Sequence, residues 1–226
     1  MSTTDKNWVQ FLDRLAHDLR EPLRAVNTFS ELLNESAKGR LDSECERFLE
    51  EILAGSWRMS TLIDGLSRYA LSLGETDGSE ASLQLAFDTV VAGLADEIQA
   101  AGATVTSDRL PRVGVKLERL IQLLENLIGN SLRFRREAAP VIHVSAQPAP
   151  ADEWEIRVSD NGIGIAREDC EKIFNPFAKI HGRKYPGAGL GLTICRTIVD
   201  NYGGSIWMEP GVDGVGSVFV FTLPAT

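Results

Sequence analysis

Apolar side chains recur every three or four positions over two long stretches near the start of the chain. In the first they are Trp8, Leu12, Leu15, Leu19, Leu23, Val26 and Leu33; in the second, Phe48, Leu49, Ile52, Met59, Leu62, Ile63, Leu66 and Leu73. That period belongs to an amphipathic helix. The spacing predicts two long helices with a break at Gly39. Asp42 is placed to cap the second, where a short acidic side chain can accept from the unpaired N–H groups of the first turn. Two helices alone bury little, so the hairpin is expected to close against a second copy as a four-helix bundle dimer.

The pattern changes after Leu73. Gly74-Glu75-Thr76-Asp77-Gly78-Ser79-Glu80 has no apolar residue and is rich in turn formers. The chain therefore reads as a helical hairpin over 1–74, a linker over 75–82 and a second domain over 83–226. In that domain the patterning predicts a helix from Asp88 to Ala100, a strand near Thr104 and a helix from Leu117 to Phe134. Strands follow over Val141 to Ala146 and Trp154 to Val158, then a helix from Leu190 to Asn201 and closing strands near Ile206 and Val218 to Phe221. Helices and strands mix without regular alternation, which points to an α/β sandwich with helices on one face of a mixed sheet.

Composition narrows the class. With 24% charged and 43% apolar residues, the 226-residue chain has the balance of a globular protein. Its net charge of -9 argues against a broad nucleic-acid footprint, which needs a basic face. Cys45, Cys170 and Cys195 are widely spaced and form no C-x-x-C pair, so they are expected to be reduced thiols. No apolar run is long enough for a membrane span and no leader pattern opens the chain, so a cytoplasmic location is expected, with any sensor outside these residues.

The first candidate for chemistry is His17, in the run His17-Asp18-Leu19-Arg20-Glu21-Pro22-Leu23. At roughly 100° per residue it falls almost opposite the stripe centred on Leu12, Leu15, Leu19 and Val26, and so faces solvent. An exposed histidine by itself signifies nothing. Asp18, however, can hold one ring nitrogen as a donor and leave the other as a neutral nucleophile. Pro22 removes a helix hydrogen bond within a turn of His17 and is expected to kink the helix there.

The second domain carries three further segments. Asn126 and Asn130 lie four apart on one helix face, where paired amides can serve Mg²⁺ and phosphates and can equally be surface residues. Asp160 ends a strand just before Gly162 and Gly164, an arrangement that suits either a base-recognition loop or a plain turn. Gly187, Gly189 and Gly191, with Leu190 among them, precede an apolar helix whose first N–H groups can face phosphate; isolated glycine clusters of this kind are weak evidence.

Together, in this order and spacing, these segments resemble the catalytic core of sensor histidine kinases, in the H-D-L-x-E-P-L form found in phytochrome-like kinases. The likeness covers nearly the whole chain. It implies a dimerising phosphoacceptor hairpin followed by a Bergerat-type ATP-binding domain, with ATP and Mg²⁺ as cofactors. By the same resemblance His17 is the phosphoacceptor, Asp18 its acid/base partner, Asn126 and Asn130 the N box with Asn130 on the metal, and Asp160 the reader of the adenine amino group. Arg133 stands where Lys is more usual, keeping the charge but changing the geometry.

Ile173-Phe174-Asn175-Pro176-Phe177 and the basic residues after it resemble the F box and lid. Lys179 and Arg183 are candidate phosphate contacts there, alongside His181 and Lys184, and a solvated basic loop explains them equally. Gly214-Val215-Gly216 resembles the last glycine box or a hairpin turn. The implied partners are a response-regulator receiver domain, a second copy of this chain and an upstream sensor domain.

Two departures matter. In hydrolytic relatives of this ATP fold a water-activating Glu stands four residues before the metal-binding Asn. Here that position is Asn126, and Glu125 is turned about 100° away. Glu21 stands where many such kinases carry a Thr or Asn that serves dephosphorylation, so weak or absent phosphatase activity is expected. The alternative reading is a nucleotide-binding dimeric adaptor, or a degenerate kinase without autophosphorylation.

Overall fold

The computed structural model describes residues 3–38, 40–73, 79–180, 185, 187–211 and 215–226, with the side chains of 3–8 and 13 left aside. The expected break at Gly39, the first half of the linker, the lid residues His181, Arg183 and Lys184, and Gly214 lie outside the described residues. The chain divides into two compact units, one of residues 1–74 together with 186–188 and one of residues 75–185 with 189–226.

The first unit is a hairpin of α1 (Thr3–Ser36) and α2 (Ser43–Ser72). Asp42 caps α2 as its residue type predicts, accepting from the Cys45 N–H at 2.8 Å. Helix α1 runs through Pro22, which lacks only the one backbone donor.

The seam between the helices mixes large apolar residues of the predicted pattern with small ones. Its buried positions are Ala16, Leu23 and Ser30 on α1 and Leu49, Ser56, Ile63 and Ala70 on α2, each set spaced by seven, with Ser72 buried as well at the end of α2. That is the repeat of helices packed side by side, and Ala and Ser let the backbones approach closely. Leu15, Leu19 and Val26, expected at the centre of the buried stripe, are exposed in the single chain, as are Phe29, Phe48 and Ile52. Arg20 and Asn27 reach across the seam to Asp64 and Ser60.

The second unit opens with β1 (Ala81–Ser82), then α3 (Leu83–Gly93), α4 (Ala95–Ala101), β2 (Thr104–Ser107) and β3 (Arg112–Val113). The helix expected over Asp88 to Ala100 is thus two helices and starts five residues earlier, because the Ser82 hydroxyl caps α3 at the Leu85 N–H. The short β1–β3 pair is antiparallel and has no counterpart in the sequence reading.

Helix α5 (Leu117–Arg133), strands β4 (Val141–Ala149) and β5 (Glu153–Asp160), helix α6 (Gly191–Asn201) and strands β6 (Ile206–Pro210) and β7 (Ser217–Pro224) complete the unit. The main sheet has the order β2-β4-β5-β7-β6, with β2 parallel to β4 and the other pairs antiparallel.

One face of this sheet is apolar and buried: Ile142 and Val144, Ile156 and Val158, Phe219 and Phe221, Ile206 and Met208. Helices α5 and α6 pack on it, and α3 packs on α5. Leu120, Leu123, Leu124, Leu127 and Ile128 of α5 are fully buried, each worth at most about 1.5–3 kcal/mol. On the opposite face Arg157 bridges Glu155 and Glu209. No described helix is long and apolar enough to cross a membrane.

Candidate functional site

On α1, the His17 side chain is 77% exposed, as the helical projection requires. Its Nδ1 lies 3.2 Å from Asp18 Oδ1. In the tautomer that pairs with a carboxylate acceptor, Nδ1 donates to Asp18 and Nε2 keeps its lone pair. The ring nitrogen that points away from Asp18 is the one this pairing leaves open. Glu21, one turn on, is exposed.

In the second unit, α5 is the spine of the site. Residues 126, 130 and 134 follow one another along one side of the helix, about 6 Å apart per step. At one end, Asn126 Oδ1 lies 3.0 Å from where a side-chain carbon on Gly191 would sit. At the other, the Phe134 carbonyl accepts from the Ile163 N–H at 3.0 Å and would lie 2.6 Å from a Cβ on Gly162. Asn130 stands between the two glycine clusters, and its side-chain amide bonds to no other described residue. The Asn126 amide, by contrast, donates to the Gln122 carbonyl at 2.8 Å.

Asp160 ends β5 with its carboxylate held on three sides. Oδ1 accepts from the Gly162 N–H at 2.8 Å and the Ser217 N–H at 3.2 Å, and Oδ2 accepts from the Ser131 hydroxyl at 3.1 Å. Of about four acceptor positions on a carboxylate, one remains, on Oδ2. Burial pushes the Asp160 pKa above the ordinary carboxylate value, and the bonds from Gly162, Ser131 and Ser217 pull it part of the way back.

The second glycine cluster ends at α6, whose first turn has no side-chain cap. Its leading N–H groups are those of Gly191, Leu192 and Thr193, and Leu190 occupies the cap position. Gly189 locks this loop: at φ 73 it accepts from the Phe177 N–H at 2.9 Å, and a Cβ there would lie 2.8 Å from the Phe177 backbone. Phe177 itself has φ 62, a left-handed conformation that costs a bulky residue energy and marks a constrained loop. Gly164 and Gly187 also have positive φ, 71 and 139.

The structure thus brings Asn126, Asn130, Asp160, Gly162 and Gly191 onto one helix and the two loops against it. Arg133 is exposed in the last turn of α5, and Lys179 is exposed two residues after Phe177. Arg183 lies outside the described residues. Ser131, the Phe134 carbonyl and the Ser217 N–H position the Asp160 loop, a role the sequence reading did not assign. No group of three His, Cys, Asp or Glu among the described residues could hold a metal ion by itself.

Comparison with known proteins agrees with this arrangement. Residues 7–71 match the His Kinase A (phospho-acceptor) domain. Residues 115–226 match the histidine kinase-, DNA gyrase B-, and HSP90-like ATPase family. The chain belongs to the histidine kinase family. It is 38% identical over 215 residues to cyanobacterial phytochrome A of Nostoc sp., covering 92% of this chain but 27% of that protein.

The chain thus spans about a quarter of the length of that curated relative. The catalytic domain of histidine kinase ThkA is 30% identical, with a TM-score of 0.56, and the match covers 66% of this chain and 97% of that one. Full-length ShkA in complex with AMPPNP superposes with a TM-score of 0.69 over 95% of this chain and 45% of that one; at 24% identity it shows the shared fold.

Proposed function

We propose that this chain uses ATP to phosphorylate its own His17 and passes the group to an aspartate on a separate response-regulator receiver domain. The observation that carries the reading is the His17–Asp18 pair, which leaves Nε2 of an exposed imidazole free to attack. In the step, a bond forms from Nε2 to the γ-phosphorus. The bond from that phosphorus to the oxygen bridging the β-phosphate breaks, and its electron pair leaves with ADP. Asp18 takes up the Nδ1 proton as positive charge develops on the ring.

The second unit supports ATP as the donor. Asp160 offers one open acceptor position to an exocyclic amine, Gly162 clears a side chain from its loop, and the start of α6 offers backbone donors to phosphate. Asn130 presents a hard amide oxygen of the kind Mg²⁺ takes, together with substrate phosphates. When bound there, Mg²⁺ supplies charge neutralisation on the phosphate oxygens. Arg133, Lys179 and Arg183 are the basic groups we assign to the phosphates.

Dimerisation through the hairpin is supported by its exposed Leu15, Leu19, Val26, Phe29, Phe48 and Ile52, which one chain leaves uncovered. We place the chain in the cytoplasm, downstream of a sensor domain. Incubation with γ-labelled ATP and Mg²⁺, beside His17→Gln, tests the reading. Acid-labile, alkali-stable label is expected on the wild type and lost in the variant. Bound ATP with no phosphohistidine would instead favour a nucleotide-binding adaptor.

A further inference from the structure

One turn after His17, Arg20 reaches across the hairpin seam. A single guanidinium nitrogen, Nη2, donates to Asp64 Oδ1 at 3.0 Å and to Ser67 Oγ at 3.0 Å. Both of its hydrogens are then used. A guanidinium has five N–H donors, so Nε and Nη1 keep three, and each of its two-nitrogen edges includes Nη2 and opens fully only when Asp64 and Ser67 let go. None of those three donors has a partner among the described residues. The Arg20 side chain is 42% exposed and that of Asp64 65%, so the cluster is open to solvent.

Helix geometry says where the guanidinium can reach. Residues three apart are neighbours on the helix surface, and a helical side chain leans toward the N-terminus, over the turn before its own Cα. For Arg20 that turn carries His17. An unmodified imidazole gives a guanidinium little reason to turn toward it. A phosphorylated imidazole presents a dianionic group with three acceptor oxygens, the shape and charge that a guanidinium fork matches best.

We infer that Arg20 is the counter-ion of phosphorylated His17, held one turn away by Asp64 until the phosphoryl group arrives. The inference rests on the autophosphorylation reading above. Asp64 has two effects in it. Its oxygen anchors Nη2, and its negative charge both competes for the guanidinium and repels the incoming phosphoryl group. Asp64→Asn keeps the anchoring oxygen and removes the charge.

The two members of one ion pair therefore have opposite expected effects. A purely structural clamp would give the same sign for both, since losing either side breaks the same contact. The readout is the equilibrium fraction of phosphohistidine on the full chain at fixed ATP to ADP ratios with Mg²⁺, which reports the stability of the modified residue rather than the rate of its formation.

Arg20→Gln is expected to lower that equilibrium constant about three- to tenfold, the range for a charge-assisted contact discounted for solvent. Asp64→Asn is expected to raise it about twofold, and the Arg20 effect should shrink as salt is added. Arg20→Lys, which keeps the charge without the fork, should fall between wild type and Arg20→Gln. It also provides the measurement if the unfolding temperature shows that Arg20→Gln does not fold.

Equal-sign shifts for Arg20 and Asp64, or an Arg20 variant with an unchanged constant, would overturn the inference while leaving the kinase reading intact. A wild type that binds ATP and forms no phosphohistidine would overturn both.

Discussion

Replacing Asp160 with Asn exchanges an acceptor for a donor at one oxygen and leaves the other alone. Oδ1 accepts from two backbone N–H groups, at 2.8 Å and 3.2 Å, and an amide at this position must keep its oxygen toward them. Turning the NH₂ the other way would set donors against donors. The NH₂ therefore takes the place of Oδ2, facing Ser131. The Ser131 hydroxyl can accept from it and still donate to the Leu127 carbonyl at 3.2 Å, so the fold is kept. A 6-amino purine then meets a donor where it needs an acceptor.

Losing a hydrogen bond to a charged group costs about 1.5–3 kcal/mol, or about 12- to 150-fold in Kd for ATP. Inosine triphosphate carries an acceptor at the same ring position, so the variant's preference should move toward it. Displacement of a fluorescent nucleotide by each triphosphate measures both effects. ATP affinity within about threefold of the wild type would refute the assignment of Asp160 to the base.

The same substitution has a pH signature. Burial raises the Asp160 pKa above its ordinary 3.8. A carboxyl whose folded value is raised costs no stability below the unfolded value, and the penalty accrues as pH climbs through the window between the two. ATP binding needs the ionised form and should weaken as pH falls through the raised value. Stability and affinity therefore trend in opposite directions across that window in the wild type, and both trends should vanish in Asp160→Asn.

Gly162→Ala would drive a methyl to 2.6 Å from the Phe134 carbonyl and 2.8 Å from Asp160 Oδ1, so it should abolish ATP binding measured by calorimetry while the unfolding of the first unit is unchanged. Ser56 buries a hydroxyl with no partner in the hairpin seam, and Ser56→Ala should stabilise the hairpin by about 1 kcal/mol in denaturant titration; a loss of stability would contradict the packing described. Phe29→Ser combined with Ile52→Ser removes two exposed apolar side chains per copy, each worth about 1.5–3 kcal/mol when covered, and light scattering should show monomers where the wild type is dimeric. Glu21→Asn should increase dephosphorylation of a phosphorylated receiver above a weak wild-type level, and a decrease would show that Glu21 itself supports that reaction.

What could be read from the sequence, and what could not, follows from how local each signal is. Helix α5 was legible because its buried residues are large and recur at three and four. The hairpin seam was half legible: Leu23, Leu49 and Ile63 belong to the apolar pattern, whereas Ala16, Ser30, Ser56 and Ala70, buried in the same rows, carry little hydrophobic signal. The start of α3 depends on one Ser82 hydroxyl, and β1 and β3 are too short to show a period. The glycine clusters and Asp160 stood out by order and spacing. Their bracing did not, since Ser131 meets Asp160 from 29 residues away through the packing of α5 on the sheet, and the Ser217 N–H from 57 residues away beside the β5–β7 pairing.

Asn126 bears on how such a chain avoids wasting its nucleotide. Hydrolysis would need a group near the triphosphate that can take a proton from water. An amide cannot do so, and here its nitrogen is tied to the Gln122 carbonyl while its oxygen faces Gly191. Glu125 is rotated about 100° around the helix. The base that the proposed transfer requires travels instead with the nucleophile, as Asp18 beside His17. In the proposed transfer each unit is then chemically incomplete: one would hold the phosphoryl donor with no base assigned beside it among the described residues, the other a nucleophile and its base without a donor. A signal that changes how the hairpin presents His17 can control the reaction without altering a single contact in the nucleotide site.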